Sequence, residues 1–161
     1  MAALIIFLIG LGIYMSQFLS KEAPNRLDIY NLHKSLGALA LGAVFIRIIN
    51  RGIFKSPELP NSLPKIEKIG AKSAHFLLYI LMIAVPLSGY LMSNSFGYPV
   101  NFFGHNLPNM IEPNEKLSHL FHELHEILPY VMLGIIALHI AGAVKHRFFD
   151  KAENDVLKRM L

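Results

Sequence analysis

Helix-period spacing links three of the eight histidines in this chain. His125, His139 and His146 are separated by 14 and 7 residues. At about 100° per residue, their side chains fall within about 60° of one another on a helix surface. Met132 fills the intervening heptad position. The step from His125 to His139 rises about 21 Å, close to the depth of a bilayer's hydrocarbon core. Imidazole ligates transition metals and haem iron. Imidazoles on one face at that separation suit two cofactors stacked at different depths. The plainer alternative is three unrelated polar residues facing a bundle interior. The cost of ionisable groups in lipid counts against it.

A second set of residues answers the first. His33 lies near the start of another apolar run. If the runs of His33 and His125 point the same way, both histidines reach one depth. They can then face each other across one haem iron as bis-imidazole ligands. Lys34 can meet a haem propionate or snorkel to the interface. Arg47 follows His33 by 14 residues, so it lies near the same face at the other end. It can hold propionates of a second haem or anchor the helix at the inner interface. His139 needs a partner from the inner half of another helix. Two positions qualify: His75, and a residue at the inner start of the first helix that would precede Met1.

His119, His122 and His125 form an H-x-x-H-x-x-H run that could bind zinc or copper. Successive steps of about 300° spread these side chains around a helix, so they converge poorly. His119 and His122 read as surface residues, and His105 as a loop residue. Glu123 and Glu126 suit the positive end of a helix dipole. No Ser/His/Asp set, phosphate loop or paired-acid cluster is present.

The elements that carry these residues are apolar runs. Residues 1–20 contain no Asp, Glu, Lys or Arg. The second run, 35–46, is lengthened by apolar flanks past Lys34 and Arg47; the third is 73–104 and the fourth 127–144. A helix needs about 20 apolar residues to span the hydrocarbon core, and only self-satisfied backbone is stable there. The expectation is an all-α, integral membrane four-helix bundle in one domain, with helices at about 2–19, 28–50, 70–94 and 118–149. The first run has no basic lead and no small-x-small cleavage site, so it reads as a membrane helix rather than a signal peptide. Hydrophobicity begins at Ala2, and the natural start of that helix is expected upstream. Pro86 and Pro129 are tolerable in membrane helices. Gly10, Gly12, Gly37, Gly42, Gly89, Gly134 and Gly142 favour close helix packing, or a porphyrin face against the backbone.

Charge orients the bundle. Arg47, Arg51, Lys55, Lys65, Lys68 and Lys72 outnumber Glu58 and Glu67 in the second loop, where Pro57, Pro60 and Pro64 also fall. In the tail, Lys145, Arg147, Lys151, Lys158 and Arg159 oppose Asp150, Glu153 and Asp155. By the positive-inside rule both face the cytoplasm, as does the N-terminus, giving an N-in/C-in protein. The net charge of +4 therefore points to membrane topology and not to nucleic acid. Hydrophobic residues make up 53% and mean hydropathy is +0.43, which favours an integral membrane protein. Cysteine is absent, which excludes disulfides, Cys-ligated zinc, iron–sulfur clusters and covalently attached haem.

Three stretches resemble the bacterial cytochrome b561 family, itself similar to the b-type cytochrome subunits of nickel-dependent hydrogenases. They are Asn31–Arg51, Ala74–Met92 and His125–Leu161. The last is the most specific, with HE, then ALHIAGAVKH, then LKRML. The resemblance implies a four-helix membrane protein with two b haems, exchanging electrons between a quinone pool (ubiquinone or menaquinone) and another donor or acceptor. It implies that His33 and His125 ligate an outer haem and that His139 ligates an inner one. The family's second inner ligand is a His at the start of the first helix, and this chain begins just after that point. The expectation is strong outer haem binding, and weak or five-coordinate inner binding. The family often carries a His at the place of His75, not usually as a ligand, and one at His146, beyond the inner haem.

The reading is a b-type cytochrome of the inner, cytoplasmic membrane, with the bilayer, quinone and an unknown redox protein as partners. Arg47, Lys72, His75, Lys145 and His146 form a candidate site for a quinone head group, with histidine as proton relay. One alternative is a divalent-metal transporter using His119, His122, His125 and His139. The other is a haem-free membrane anchor for a soluble oxidoreductase.

Overall fold

The computed structural model describes residues 1–54, 60 and 62–150. Lys55, Pro57 and Glu58 of the second loop lie outside the described residues. So do Lys151, Glu153, Asp155 and the closing LKRML of the tail. Among the described residues are four α-helices: α1 (Ala2–Gln17), α2 (Arg26–Ile53), α3 (Lys65–Ser95) and α4 (Glu115–Phe148). A two-stranded hairpin, β1 (Asn101–Phe102) and β2 (His105–Asn106), sits between α3 and α4.

The helices α2, α3 and α4 have 28, 31 and 34 residues and are long and apolar enough to cross a membrane. At about 1.5 Å per residue each exceeds the hydrocarbon thickness of about 30 Å. The 16 residues of α1 are also apolar but form a shorter helix. Large apolar side chains point outward all along the bundle, among them Phe7, Phe45, Phe76 and Leu138. In water such a surface would drive association; against lipid it needs no partner. Both α3 and α4 continue through Pro86 and Pro129, as expected where neighbouring groups re-satisfy the freed backbone.

The helices pack in chain order: α1 on α2, α2 on α3, and α3 on α4 most extensively. Contacts set their directions. Gly89, late in α3, meets His125, early in α4, whereas Glu67, at the start of α3, meets Lys145 near the end of α4. These two helices are therefore antiparallel. His33, early in α2, faces His125, so α2 and α4 run the same way.

The hairpin end of the bundle is fastened by short polar contacts. Phe103 and Gly104 join the strands with φ of 47° and 97°, the paired positive values of a type I′ turn. The Ser35 hydroxyl of α2 lies 2.8 Å from the Asn31 carbonyl and 2.9 Å from that of Asn101, and accepts from Phe103 N–H at 3.1 Å. Tyr90 donates to the Pro108 carbonyl at 2.7 Å. The Asn114 side chain caps α4 by accepting from Leu117 N–H, while its own N–H donates to the Ser95 carbonyl. This chain of bonds fixes where α4 starts, and hence the height of His125.

Of the glycines expected to bring helices together, only Gly12 and Gly89 have another side chain within 4 Å of where a Cβ would stand, and in both cases it is an imidazole. The space beside Gly10, Gly37, Gly42, Gly134 and Gly142 is open among the described residues. Among the described residues, then, no side chain or neighbouring helix packs closely against these five.

Candidate functional site

Two histidine pairs lie along the bundle. His33 of α2 and His125 of α4 form the first, with ring centroids 6.1 Å apart and planes at 76°. His75 of α3 and His139 of α4 form the second, with centroids 5.0 Å apart and planes at 66°. Met132, between the pairs on α4, is buried. Both pairs draw on α4, whose heptad spacing puts His125 and His139 on one face about 21 Å apart along the axis.

His125 is held by one turn of α3. Its Nδ1 lies 3.0 Å from the Val85 carbonyl and 3.1 Å from the Ser88 hydroxyl. A carbonyl can only accept, so Nδ1 carries the proton and Nε2 keeps its lone pair. The Ser88 hydroxyl also donates to the Val85 carbonyl at 2.7 Å. Gly89 makes room for the ring: a Cβ there would stand 2.6 Å from His125 Cε1. Metal-ligating histidines generally donate their second ring N–H to a carbonyl or carboxylate in this manner.

His33 lies against α1, its Cε1 3.5 Å from where a Gly12 Cβ would be. Its Nδ1 is buried and has no hydrogen-bond partner among the described residues. A buried polar nitrogen is costly without a partner, and a metal ion removes that cost. With metal–nitrogen bonds of about 2.0–2.1 Å, two imidazoles on opposite sides of one ion have centroids about 6.2–6.4 Å apart. The His33–His125 separation matches that span, and the His75–His139 separation falls about 1 Å short of it.

The charged candidates are dispersed. Lys34 reaches the Pro99 carbonyl at 3.4 Å and lies 5.7 Å over the Tyr98 ring. Arg47 lies 6.0 Å over the Tyr79 ring. His146 binds Asp150 at 2.6 Å through Nδ1 and turns Nε2 toward Glu67, which Lys145 also holds. Of the cluster of Arg47, Lys72, His75, Lys145 and His146 read from the sequence, Lys145 and His146 thus have carboxylate partners. Their partners Glu67 and Asp150 entered the sequence reading only as charges that orient the bundle, not as site residues. The signal for Glu67 was an acid, one of two, in a basic loop.

His105, His119 and His122 are exposed. His122 is 3.8 Å from its neighbour Glu126, while His125 turns inward. Among the described residues, the one group of three possible ligands held close together is Glu67, His146 and Asp150. The set His119, His122, His125 and His139 is not assembled.

The family model described as prokaryotic cytochrome b561 matches residues 1–161. Cytochrome b561 homolog 2 of Escherichia coli (strain K12) is 34% identical over 131 residues, covering 81% of this chain and 69% of that protein. Cytochrome b561 homolog 1 of the same organism is 27% identical over 140 residues, covering 87% and 79%. The Yersinia pestis protein named probable superoxide oxidase CybB is 27% identical over 130 residues, covering 80% and 73%. On the full-length match, the chain belongs to the prokaryotic cytochrome b561 family, which implies b-type haem and electron transfer in a membrane.

Proposed function

We propose that this chain is a b-type cytochrome of the bacterial inner membrane that holds haem between His33 and His125 and exchanges electrons with the quinone pool. The observation that supports this most is the first histidine pair. Its rings are 6.1 Å apart, His125 has its lone pair free on Nε2, and a buried nitrogen of His33 has no partner among the described residues. When bound there, haem supplies a one-electron ferric/ferrous couple.

The chain's own residues do the rest. The Val85 carbonyl fixes the tautomer of His125 and makes Nε2 a stronger donor. Pairing of His33 and His125 across two helices ties α2 to α4, which otherwise pack through α3. His139 is the candidate ligand for a second haem deeper in the membrane, with His75 beside it. At 5.0 Å that pair must open to take an ion between its rings, so inner binding is expected to be weaker than outer binding. Arg47, on the His75 side, is the candidate cation for a quinone head group or a haem propionate.

The test is spectroscopic. The purified protein is expected to show a Soret band that sharpens and shifts on dithionite, and to be reduced by quinol. A colourless protein would favour the anchor reading. His75→Ala is expected to leave the outer haem intact. Two low-spin haems per chain that survive His75→Ala would remove His75 from the inner ligand set.

The orientation belongs to the same proposal. Arg47, Arg51, Lys65, Lys68 and Lys72 at the end opposite the hairpin argue that this end faces the cytoplasm, with both termini inside. Reporter fusions after Arg51 are expected to report cytoplasm, and those at Asn109 the outer side. The reverse pattern would reject the orientation.

A further inference from the structure

The end of the bundle opposite the hairpin carries a group that the haem reading does not use. Glu67 comes from the first turn of α3, His146 from the last turn of α4, and Asp150 from just beyond it. Their side chains are 26%, 12% and 20% exposed, so all three are largely withdrawn from solvent. One candidate donor atom from each lies within 4.8 Å of the other two.

Proton positions decide what such a group can hold. The Asp150 carboxylate accepts from His146 Nδ1–H at 2.6 Å. In the neutral ring, with its proton there, the imidazole presents a lone pair on Nε2. That nitrogen faces Glu67 Oε2 at 3.8 Å, beyond hydrogen-bond reach. Glu67 Oε2 is itself buried and has no hydrogen-bond partner among the described residues. Lys145 binds the other oxygen, Oε1. In that neutral form two electron-rich atoms face each other across a gap, and a buried carboxylate oxygen is costly without a partner of its own.

We propose that Glu67 and His146 form a binding site for one first-row divalent cation of zinc-like character, with Asp150 orienting the histidine. Donor atoms each about 2.1 Å from one ion lie about 3–4 Å apart, depending on the angle between them. The Nε2–Oε2 distance is within that range. One imidazole with carboxylates selects zinc or its neighbours over magnesium and calcium, which take all-oxygen sets. The Asp150–His146 contact is the carboxylate–histidine arrangement that raises a ligand's basicity. Water completes the coordination. The cation joins the start of α3 to the end of α4, close to the inner histidine pair, and the site does not depend on what that pair binds.

The experiment is calorimetric titration of Zn²⁺ alone into the full, haem-loaded chain in detergent, after treatment with a chelator. The wild type is expected to bind one Zn²⁺ that His146→Ala and Glu67→Gln each weaken at least tenfold. Lys145→Ala removes a competing ammonium from Glu67 and is expected to bind at least as tightly as wild type. His122→Ala, which breaks an exposed pair with Glu126, is expected to leave this binding unchanged. Thermal melts of each variant identify any that fail to fold, and the near-isosteric Glu67→Gln keeps the test decisive if His146→Ala does. The proposal is overturned if the wild type binds no Zn²⁺, the result of a simple ion-pair cluster in which both ring nitrogens of His146 carry protons. It is also overturned if folded Glu67→Gln binds as tightly as wild type.

Discussion

Replacing His33 or His125 with alanine is expected to remove about one haem per chain and to abolish its low-spin signal. An iron held by two imidazoles loses half of its protein ligands in either variant. Loss of an outer-shell partner alone typically weakens metal binding about 10–100-fold, and loss of a direct ligand costs at least as much. The two substitutions also differ in what they leave behind. His125→Ala strips the Val85 carbonyl and the Ser88 hydroxyl of the imidazole between them, but those groups keep their own bond at 2.7 Å. His33→Ala removes a buried nitrogen that has no partner among the described residues, so the haem-free protein is expected to gain from it. Pyridine haemochrome quantitation and electron paramagnetic resonance report both losses. Full haem content with an unchanged low-spin spectrum in both variants would reject the ligand assignment.

Gly89→Ala is expected to weaken haem binding by about 5–150-fold while leaving the helix intact. The two halves of that expectation have opposite signs. Alanine is a better helix former than glycine by about 0.8–1.0 kcal/mol, so α3 itself gains. The added Cβ, however, would stand 2.6 Å from His125 Cε1 and 3.0 Å from both ring nitrogens. Something must move, and the atoms nearest that position all belong to the imidazole. Overpacking of this kind costs about 1–3 kcal/mol, which sets the fold-change. The imidazole has to swing off the Val85 carbonyl, losing the contact that fixes its tautomer. Gly37→Ala is the control, because the space beside Gly37 is open among the described residues. Haem titration of the purified variants, with circular dichroism for helix content, makes the comparison. Wild-type haem affinity in Gly89→Ala would show that this glycine does not position His125.

Much of the arrangement is legible in the order of residues because it depends on one helix at a time. Apolar run length marks α3 and α4, and with its apolar flanks α2, since backbone in lipid must bond to itself. The common face of His125 and His139 follows from the helical repeat, which no neighbour alters. The equal depth of His33 and His125 needs only antiparallel alternation of successive helices.

Other features depend on how the helices are rotated against each other, and periodicity carries no information about that. Seven glycines looked alike along the chain; only the rotation of α3 turned Gly89, rather than Gly37 or Gly134, toward an imidazole. His139 had two candidate partners by depth, and the packing of α3 on α4 put His75 beside it. Glu67 is 78 residues from Lys145 in sequence, so nothing local announced that it would meet Lys145 and His146. The hairpin turn was hidden for a different reason: Phe103 takes a positive φ that phenylalanine rarely adopts. Its N–H bond to Ser35 of α2 holds that conformation, and only the folded chain brings the two together.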